Sequence, residues 1–215
     1  MGLPVSVDFL IGYNNYSLFD KTEEFENSKV VLVGDIHGVT TAQKTDISTR
    51  LLLQTGGILL LENIPDDYIF PSPNGAKFMG AEDGDLHRQA IDVQKDLKRL
   101  VREMSSEEGW KIYPEFKHQV EEFRRLDHRR EDGFVLRIKE AVPQTEGKVY
   151  FSVGIDHIIS DYIRSTLKSE SISYWACVPS DKSGEQTSIL ELLADKLQTT
   201  ENIYSAIMKQ REIES

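Results

Sequence analysis

The segment Val30-Val-Leu-Val-Gly-Asp-Ile-His37 carries the clearest structural signal in the chain. Four apolar residues are followed by Gly34 and then by two polar side chains, Asp35 and His37. A short apolar run of this kind is typical of a buried strand in a parallel sheet, which is covered on both faces. Because open α/β sheets bind ligands beyond the carboxyl ends of their strands, we expect Asp35 and His37 to lie at a functional edge.

A second segment near the other end of the chain has the same form. The apolar run Val149-Tyr-Phe-Ser-Val153 is followed by Gly154-Ile-Asp-His157. Both segments therefore consist of a strand that ends in Gly-x-x-His. This repetition predicts one site that is built from both strands and contains both His37 and His157.

Alternating strands and helices predict an α/β fold. Apolar runs predict strands at 29–33, 58–62, 76–80, 148–153 and 171–178. Apolar residues at helical spacing predict helices at 41–54, 86–104, 114–142, 158–167 and 188–209, of which 114–142 could be two helices. We expect a mostly parallel sheet from two strand–helix–strand halves, with a helical section at about 84–144. Residues 29–215 are then a single domain, and residues 1–28 are an irregular lead-in with a short edge strand at 6–11.

Composition excludes several functional classes. The chain has 215 residues, a formal net charge of −11 and one cysteine, Cys177. The acidic charge disfavours nucleic-acid binding, and a lone cysteine provides neither a disulfide framework nor a cysteine zinc site. No stretch approaches the roughly 20 apolar residues of a membrane span, so we expect a cytoplasmic protein. The start, Met1-Gly2-Leu-Pro-Val-Ser6, fits the loose myristoylation pattern, but the sequence does not decide whether Gly2 is lipidated.

Polar residues cluster at the predicted strand ends. They are Asp35, His37, Glu62, Glu82, Asp83, Asp156 and His157. Imidazole and carboxylate groups together suit Mn²⁺, Co²⁺ or Zn²⁺, and the predicted metal ligands are Asp35, His37, Glu62 and His157. A histidine beside a carboxylate is equally a general acid/base pair that needs no metal. An acid after a strand can also be only a helix N-cap.

The polar motifs resemble a known superfamily. In chain order they are Gly34-Asp-Ile-His37, Glu62, Gly80-Ala-Glu82 and Val153-Gly-Ile-Asp-His157. They resemble the superfamily that joins TIKI proteases, TraB proteins, ChaN-type proteins and erythromycin esterases, over residues 29–178. Members share two Gly-x-x-His motifs and a pair of glutamates. They also carry an arginine beside an acid or asparagine on a central helix, for which Arg130-Glu131 is the best match and Arg129 the alternative.

The resemblance implies a hydrolase of an ester or amide (peptide) bond. His37 and Glu62 would activate water, directly or through a metal that they hold. Glu82 and His157 would complete the site, and Arg130 would neutralise the developing oxyanion. The expected partner is a small-molecule or peptide substrate. ChaN-type members bind haem, so a non-catalytic ligand-binding or effector protein on the same fold is the alternative.

A rival class is the calcineurin-like metallophosphoesterases, whose first motif is also spelled by Gly34-Asp-Ile-His-Gly38. That family continues with Gly-Asp-x-x-Asp-Arg and then with Asn-His. The corresponding stretch here is Leu61-Glu-Asn-Ile-Pro-Asp-Asp67, and no Asn-His dipeptide occurs in the chain. The two missing motifs make this class the less favoured one.

Overall fold

A computed structural model describes residues 15–35, 52, 56–71, 76–104, 108–180 and 189–214. These residues belong to two units. The sheet unit spans Met1–Gly84 and Glu131–Gln186, and the helical unit spans Asp85–Arg130 and Thr187–Ser215. The predicted edge strand at 6–11 lies outside the described residues, as does the predicted helix at 41–54 except for the helical residue Leu52.

The sheet unit contains, among the described residues, one seven-stranded sheet. Its strands are β1 (Tyr16–Lys21), β2 (Val30–Asp35), β3 (Gly57–Pro65), β4 (Ile69–Pro71), β5 (Lys77–Glu82), β6 (Lys148–Gly154) and β7 (Tyr174–Pro179). Their order across the sheet is β1-β7-β2-β6-β3-β5-β4. The five inner strands are parallel, and β1 and β4 pair antiparallel at the two edges. The predicted α/β fold with a mostly parallel sheet is confirmed.

The described helices differ from the prediction in one place. They are α1 (Gly84–Glu103), α2 (Tyr113–Ala141), α3 (Ile155–Ile159), α4 (Tyr162–Ser169) and α5 (Ile189–Glu214). Helix α2 is one continuous helix. The helix predicted at 158–167 is instead two helices, α3 and α4, because the backbone turns at Asp161, which has a φ of 68°.

Side-chain alternation in the inner strands explains the continuous apolar runs. One face of the sheet buries Val30, Leu32, Ile58, Leu60 and Phe151. The other face buries Val31, Val33, Leu59, Tyr150 and Trp175. Phe134 and Ile138 of helix α2 pack in the first of these clusters. Because both faces are covered, most positions in the middle of an inner strand are apolar.

Sequence reasoning missed both edge strands. Strand β1 lies in the segment that we expected to be irregular, and strand β4 lies in a segment for which the sequence predicts no strand. An edge strand is only half covered, and Leu18 and Ile69 are both exposed. The pairing of β1 with β7 is also interrupted by a register shift between Leu18 and Asp20. Such strands carry no continuous apolar signal.

The helical unit has its own apolar core. Buried residues of α1 and of the first part of α2 form it, namely Leu97, Leu100, Phe116, Val120 and Phe123. Leu193 and Leu197 of α5 pack against them. No helix in the described parts of the chain combines the length and the apolar character that a membrane crossing requires.

A side-chain network ties strand β1 to helix α4. The Asp20 carboxylate accepts hydrogen bonds from the Arg164 guanidinium and, at 2.6 Å, from the Tyr174 hydroxyl. Arg164 also donates through Nε to the carbonyl oxygen of Ile158 at 2.7 Å, and it lies 5.1 Å from the Phe19 ring. Burial alone would raise the pKa of Asp20. The hydrogen bonds from Tyr174 and Arg164, and the charge of Arg164, outweigh burial and lower that pKa.

We expect the Asp20 network to make folding stability depend on pH. A carboxyl group with a lowered pKa in the folded state stabilises the fold fully above its unfolded pKa, near about 3.9, and loses this contribution as the pH falls through its folded pKa. The half-exposed pair contributes at most about 1 kcal/mol. Urea unfolding should show that the wild type has a larger unfolding free energy than Asp20→Asn at neutral pH. This difference should disappear as the pH falls below about 4. A gap that widens on acidification would contradict the assignment.

Candidate functional site

The predicted site residues that end or follow strands lie, where the structure describes them, along one edge of the sheet. Asp35, at the end of β2, is in register with Gly154, the last residue of β6. Glu82 ends the neighbouring strand β5, and Glu62 lies near the end of β3. His157 follows β6 directly, in helix α3. His37 and the side chain of Asp35 are outside the described residues.

His157 lies between two carboxylates. Its Nδ1 atom is 3.0 Å from Oε1 of Glu131, and its Nε2 atom is 3.6 Å from Oε1 of Glu62. The edge of its ring packs against Phe134, with ring centroids 5.4 Å apart. All three polar side chains are buried, with exposures of 5% for His157, 3% for Glu62 and 0% for Glu131. We call this group the His157 cluster.

Two features of the backbone orient the Glu62 side chain, the N–H of Gly154 and a bulge in strand β3. Its Oε2 atom accepts a hydrogen bond from the N–H of Gly154, where strand β6 passes into helix α3. Its own strand carries a bulge, since β3 has three residues between Leu61 and Pro65 whereas β5 has one between Gly80 and Glu82. Bulges bend a strand and re-aim its side chains, often beside functional sites. Glu62 is the first residue of this bulge.

Gly80 allows the bulge to form. A Cβ atom at this position would overlap the carbonyl oxygens of Ile64 and Pro65 in the bulged strand. The N–H of Gly80 meanwhile donates to the carbonyl oxygen of Tyr68 at 2.9 Å. The glycine of the motif Gly80-Ala-Glu82 is therefore required by a close approach of two backbones.

Glu131 is the residue of the cluster that sequence reasoning did not select. In the sequence it is distinguished only as the acid beside Arg130. The signal that could have found it is its spacing in helix α2, because Glu131 lies three residues before the buried Phe134 and seven before the buried Ile138. A carboxylate at a core position of a helix needs a polar partner. His157 is such a partner, and the Ser160 hydroxyl is another, donating to Oε1 of Glu131 at 3.0 Å.

Two other predicted residues, Glu82 and Arg130, lie outside the His157 cluster. Glu82 is buried at the end of β5, where its backbone carbonyl accepts from the N–H of Asp66 at 3.0 Å. Arg130 precedes Glu131 in α2 and pairs with Asp127 at 3.4 Å. The predicted role of Arg130 at an oxyanion stays a prediction.

The buried acidic side chains of the sheet unit favour the binding of a cation. Three glutamates of the sheet unit, Glu62, Glu82 and Glu131, have buried side chains. Buried charges are costly unless they are paired. Glu131 and His157 each offer a ligand atom to a group that could hold a metal ion.

The spacing of His157 and Glu62 also fits a metal. Their N–O distance of 3.6 Å is longer than a hydrogen bond of about 2.7–3.2 Å. Two ligands that each lie about 2.0–2.2 Å from a tetrahedral ion are separated by roughly 3.4 Å. The donor types suit Zn²⁺, Mn²⁺ or Co²⁺. Glu62 and His157 are therefore a pair that could hold a divalent ion with little rearrangement.

The cluster can thus activate water in either of two ways, by a histidine base or by a bound cation. Both use groups that follow the inner strands of the sheet, and both place Glu62 beside Nε2 of His157. Comparisons of the chain with protein-family models, with curated proteins and with solved structures find no match.

Proposed function

We propose that this protein is a hydrolase that cleaves an ester or amide bond at the His157 cluster. The observation that carries the proposal is a buried histidine with a carboxylate beside each ring nitrogen, at the carboxyl-terminal edge of a parallel sheet. This edge is where α/β proteins bind their ligands. A buried cluster of acids and a histidine is costly to fold, which favours a functional reason for it.

In this proposal Glu62 and His157 act on the attacking water. His157 accepts the proton of the water through one ring nitrogen, and Glu131 stabilises the charge that the ring then gains. When a divalent ion is bound, it supplies Lewis acidity and lowers the pKa of its water. Glu62 and His157 would hold that ion, and the predicted ligands Asp35 and His37 would complete its site.

The superfamily resemblance supports the same reaction class. Its second Gly-x-x-His motif ends in His157, which is the centre of the cluster, and its strand-terminal glutamate is Glu62. Peptide and small-molecule esters are the substrates that this resemblance suggests. By this resemblance Arg130, at the position of the superfamily arginine, would neutralise the oxyanion that forms on the substrate.

Elemental analysis of the untagged full-length protein, followed by a panel of ester and peptide substrates, tests the proposal. We expect about one Mn²⁺, Co²⁺ or Zn²⁺ ion per chain, loss of hydrolysis after exhaustive dialysis against a chelator, and recovery when the ion is added back. Glu62→Gln should lower both metal content and hydrolysis. The matched control is Glu146→Gln, at an exposed glutamate, which should change neither.

Three outcomes of these experiments decide whether a metal activates the water, which side chains hold it, and whether the protein is a hydrolase. Full hydrolysis after chelation, with no metal detected, assigns water activation to the His157 and Glu62 side chains alone. Metal that persists in Glu62→Gln but is lost in Glu131→Gln places the ion on the side of His157 that faces Glu131. A folded protein that hydrolyses nothing and holds no metal would refute the hydrolase proposal.

A further inference from the structure

Three backbone carbonyl groups converge on the ammonium group of Lys148. Its Nζ atom donates to the carbonyl oxygens of Phe25 at 2.5 Å, of Ser28 at 2.8 Å and of Glu26 at 3.0 Å. The same nitrogen lies 4.9 Å from the centre of the Phe25 ring. A lysine ammonium has three donors, so one acceptor is present for each of them. Residues 25–28 therefore surround a single positive charge, and we call this segment the carbonyl turn.

The carbonyl turn is held in shape by contacts that do not involve the lysine. The N–H groups of Asn27 and Ser28 donate to the carbonyl oxygen of Glu24 at 3.0 Å and 2.9 Å. The Ser28 hydroxyl donates to the carbonyl oxygen of Phe25 at 2.8 Å. The Phe25 ring is buried and packs edge-on against Trp175, with ring centroids 5.5 Å apart. The carbonyl groups should therefore keep their positions when the ammonium is removed.

The chemistry of these ligands selects one kind of cation. Carbonyl oxygens are uncharged, and the face of an aromatic ring attracts a cation without a charge of its own. Among the described residues, no carboxylate forms an ion pair with Lys148. Divalent ions are held mainly by carboxylates, whereas rings of carbonyl groups replace the hydration shell of K⁺. The carbonyl turn therefore suits a large monovalent cation, such as K⁺ or ammonium, better than Mg²⁺ or Ca²⁺.

We propose that the carbonyl turn is a binding site for a large monovalent cation, and that Lys148 fills this site as an ammonium ion attached to the chain. Lys148 is the first residue of β6, and the turn leads into β2. These two strands pair in register from Val30 and Val149 onward. The ammonium therefore fixes the start of two strands whose other ends carry Asp35 and precede His157. Occupation of the site does not depend on the proposed function.

Cation rescue of Lys148→Met in the full-length protein tests this proposal. Methionine keeps an apolar stem and removes the charge. In choline chloride, whose cation is too large for the turn, we expect a melting temperature roughly 3–12 °C below that of wild type, as loss of a hydrogen-bonded charge predicts for a chain of this size. The same concentration of KCl or NH₄Cl should restore most of this loss, and more salt should restore more of it, by mass action. Wild type should melt at one temperature in all three salts, because its site is already filled.

The matched control is Lys139→Met. Lys139 is exposed and pairs with the exposed Glu170 at 2.9 Å, so this variant removes the same charge but leaves the carbonyl turn occupied. Its melting temperature should not distinguish KCl from choline chloride. A Lys148→Met protein that melts at the same temperature in all three salts would overturn the proposal. Equal recovery by KCl in Lys139→Met would also overturn it, because the effect would then belong to salt in general.

The wild-type protein provides a second measurement. ¹⁵N–¹H correlations of lysine ammonium groups report how fast each group exchanges its protons with water. We expect the Lys148 ammonium to exchange at least about tenfold more slowly than the exposed Lys139 ammonium, because each of its donors has a carbonyl acceptor. Exchange at the rate of Lys139 would overturn the proposal. If Lys148→Met folds in none of the salts, this comparison decides, and neither measurement requires hydrolysis.

Discussion

Replacing His157 with glutamine is expected to lower kcat by about 10²–10⁴-fold on any ester or amide substrate that the panel identifies, because general acid/base catalysis contributes about this much. The side-chain amide of glutamine can still donate a hydrogen bond to Glu131, so the buried carboxylate keeps a partner. We therefore expect the variant to fold. Steady-state kinetics measure the loss, and urea unfolding checks that the protein is native.

The control for this experiment is another histidine of the same chain. His118 is exposed on helix α2, and His118→Gln should retain wild-type kcat and wild-type stability. If folded His157→Gln were as active as the control, the cluster would be a structural ion group and the catalytic assignment of His157 would be wrong. Loss of folding in His157→Gln would instead point to a structural role for the ring.

Replacing Gly80 with alanine is expected to destabilise the protein by roughly 2–5 kcal/mol, or to prevent folding. The added Cβ would meet two carbonyl oxygens of the bulge in β3, and backbone cannot move aside as the end of a flexible side chain can. The expected size is that of severe steric changes in a well-packed core. Because the bulge begins at Glu62, any Gly80→Ala protein that folds should also lose hydrolysis. Urea unfolding and the kcat of the folded fraction measure the two effects.

Two other glycines provide matched controls for Gly80→Ala. A Cβ atom at Gly84 or at Gly133 would have no atom within 4 Å. Gly133 lies inside helix α2, where alanine is the better helix former, so Gly133→Ala should stabilise the protein by about 0.4–1 kcal/mol. Gly84→Ala should change stability little. If Gly80→Ala behaved like these two, the close approach of the strands would not constrain the sequence.

Much of the fold could be predicted because the inner strands are buried on both faces. Such strands leave continuous apolar runs that few other structures produce, and these runs located β2, β3, β6 and β7. Parallel strands share one carboxyl-terminal edge, so the residues that follow them are neighbours in space. This rule predicts that Glu62 and His157 lie at the same edge, and Oε1 of Glu62 is 3.6 Å from Nε2 of His157.

The remaining features depend on contacts that no local pattern records. Glu131 reaches His157 from the middle of a helix rather than from a strand end, and an acid in a long charged helix is normally solvated. The bulge beyond Leu61 is set by the partner strand and by Gly80. The edge strands β1 and β4 are short and half exposed, so the patterns that reveal inner strands are absent from them.

The order of the strands has a consequence for the synthesis of the protein. Strand β2 lies between β7 and β6, so neither of its partners begins before Lys148. At about 5–20 residues per second, a ribosome needs roughly 5–20 s to make the chain that separates β2 from β6. During that interval the apolar β-branched strand has two unpaired edges, which are templates for pairing with other chains. Strand β2 can therefore pair only after β6 has been synthesised. Nascent chains that stop before β6 are expected to aggregate or to need a chaperone.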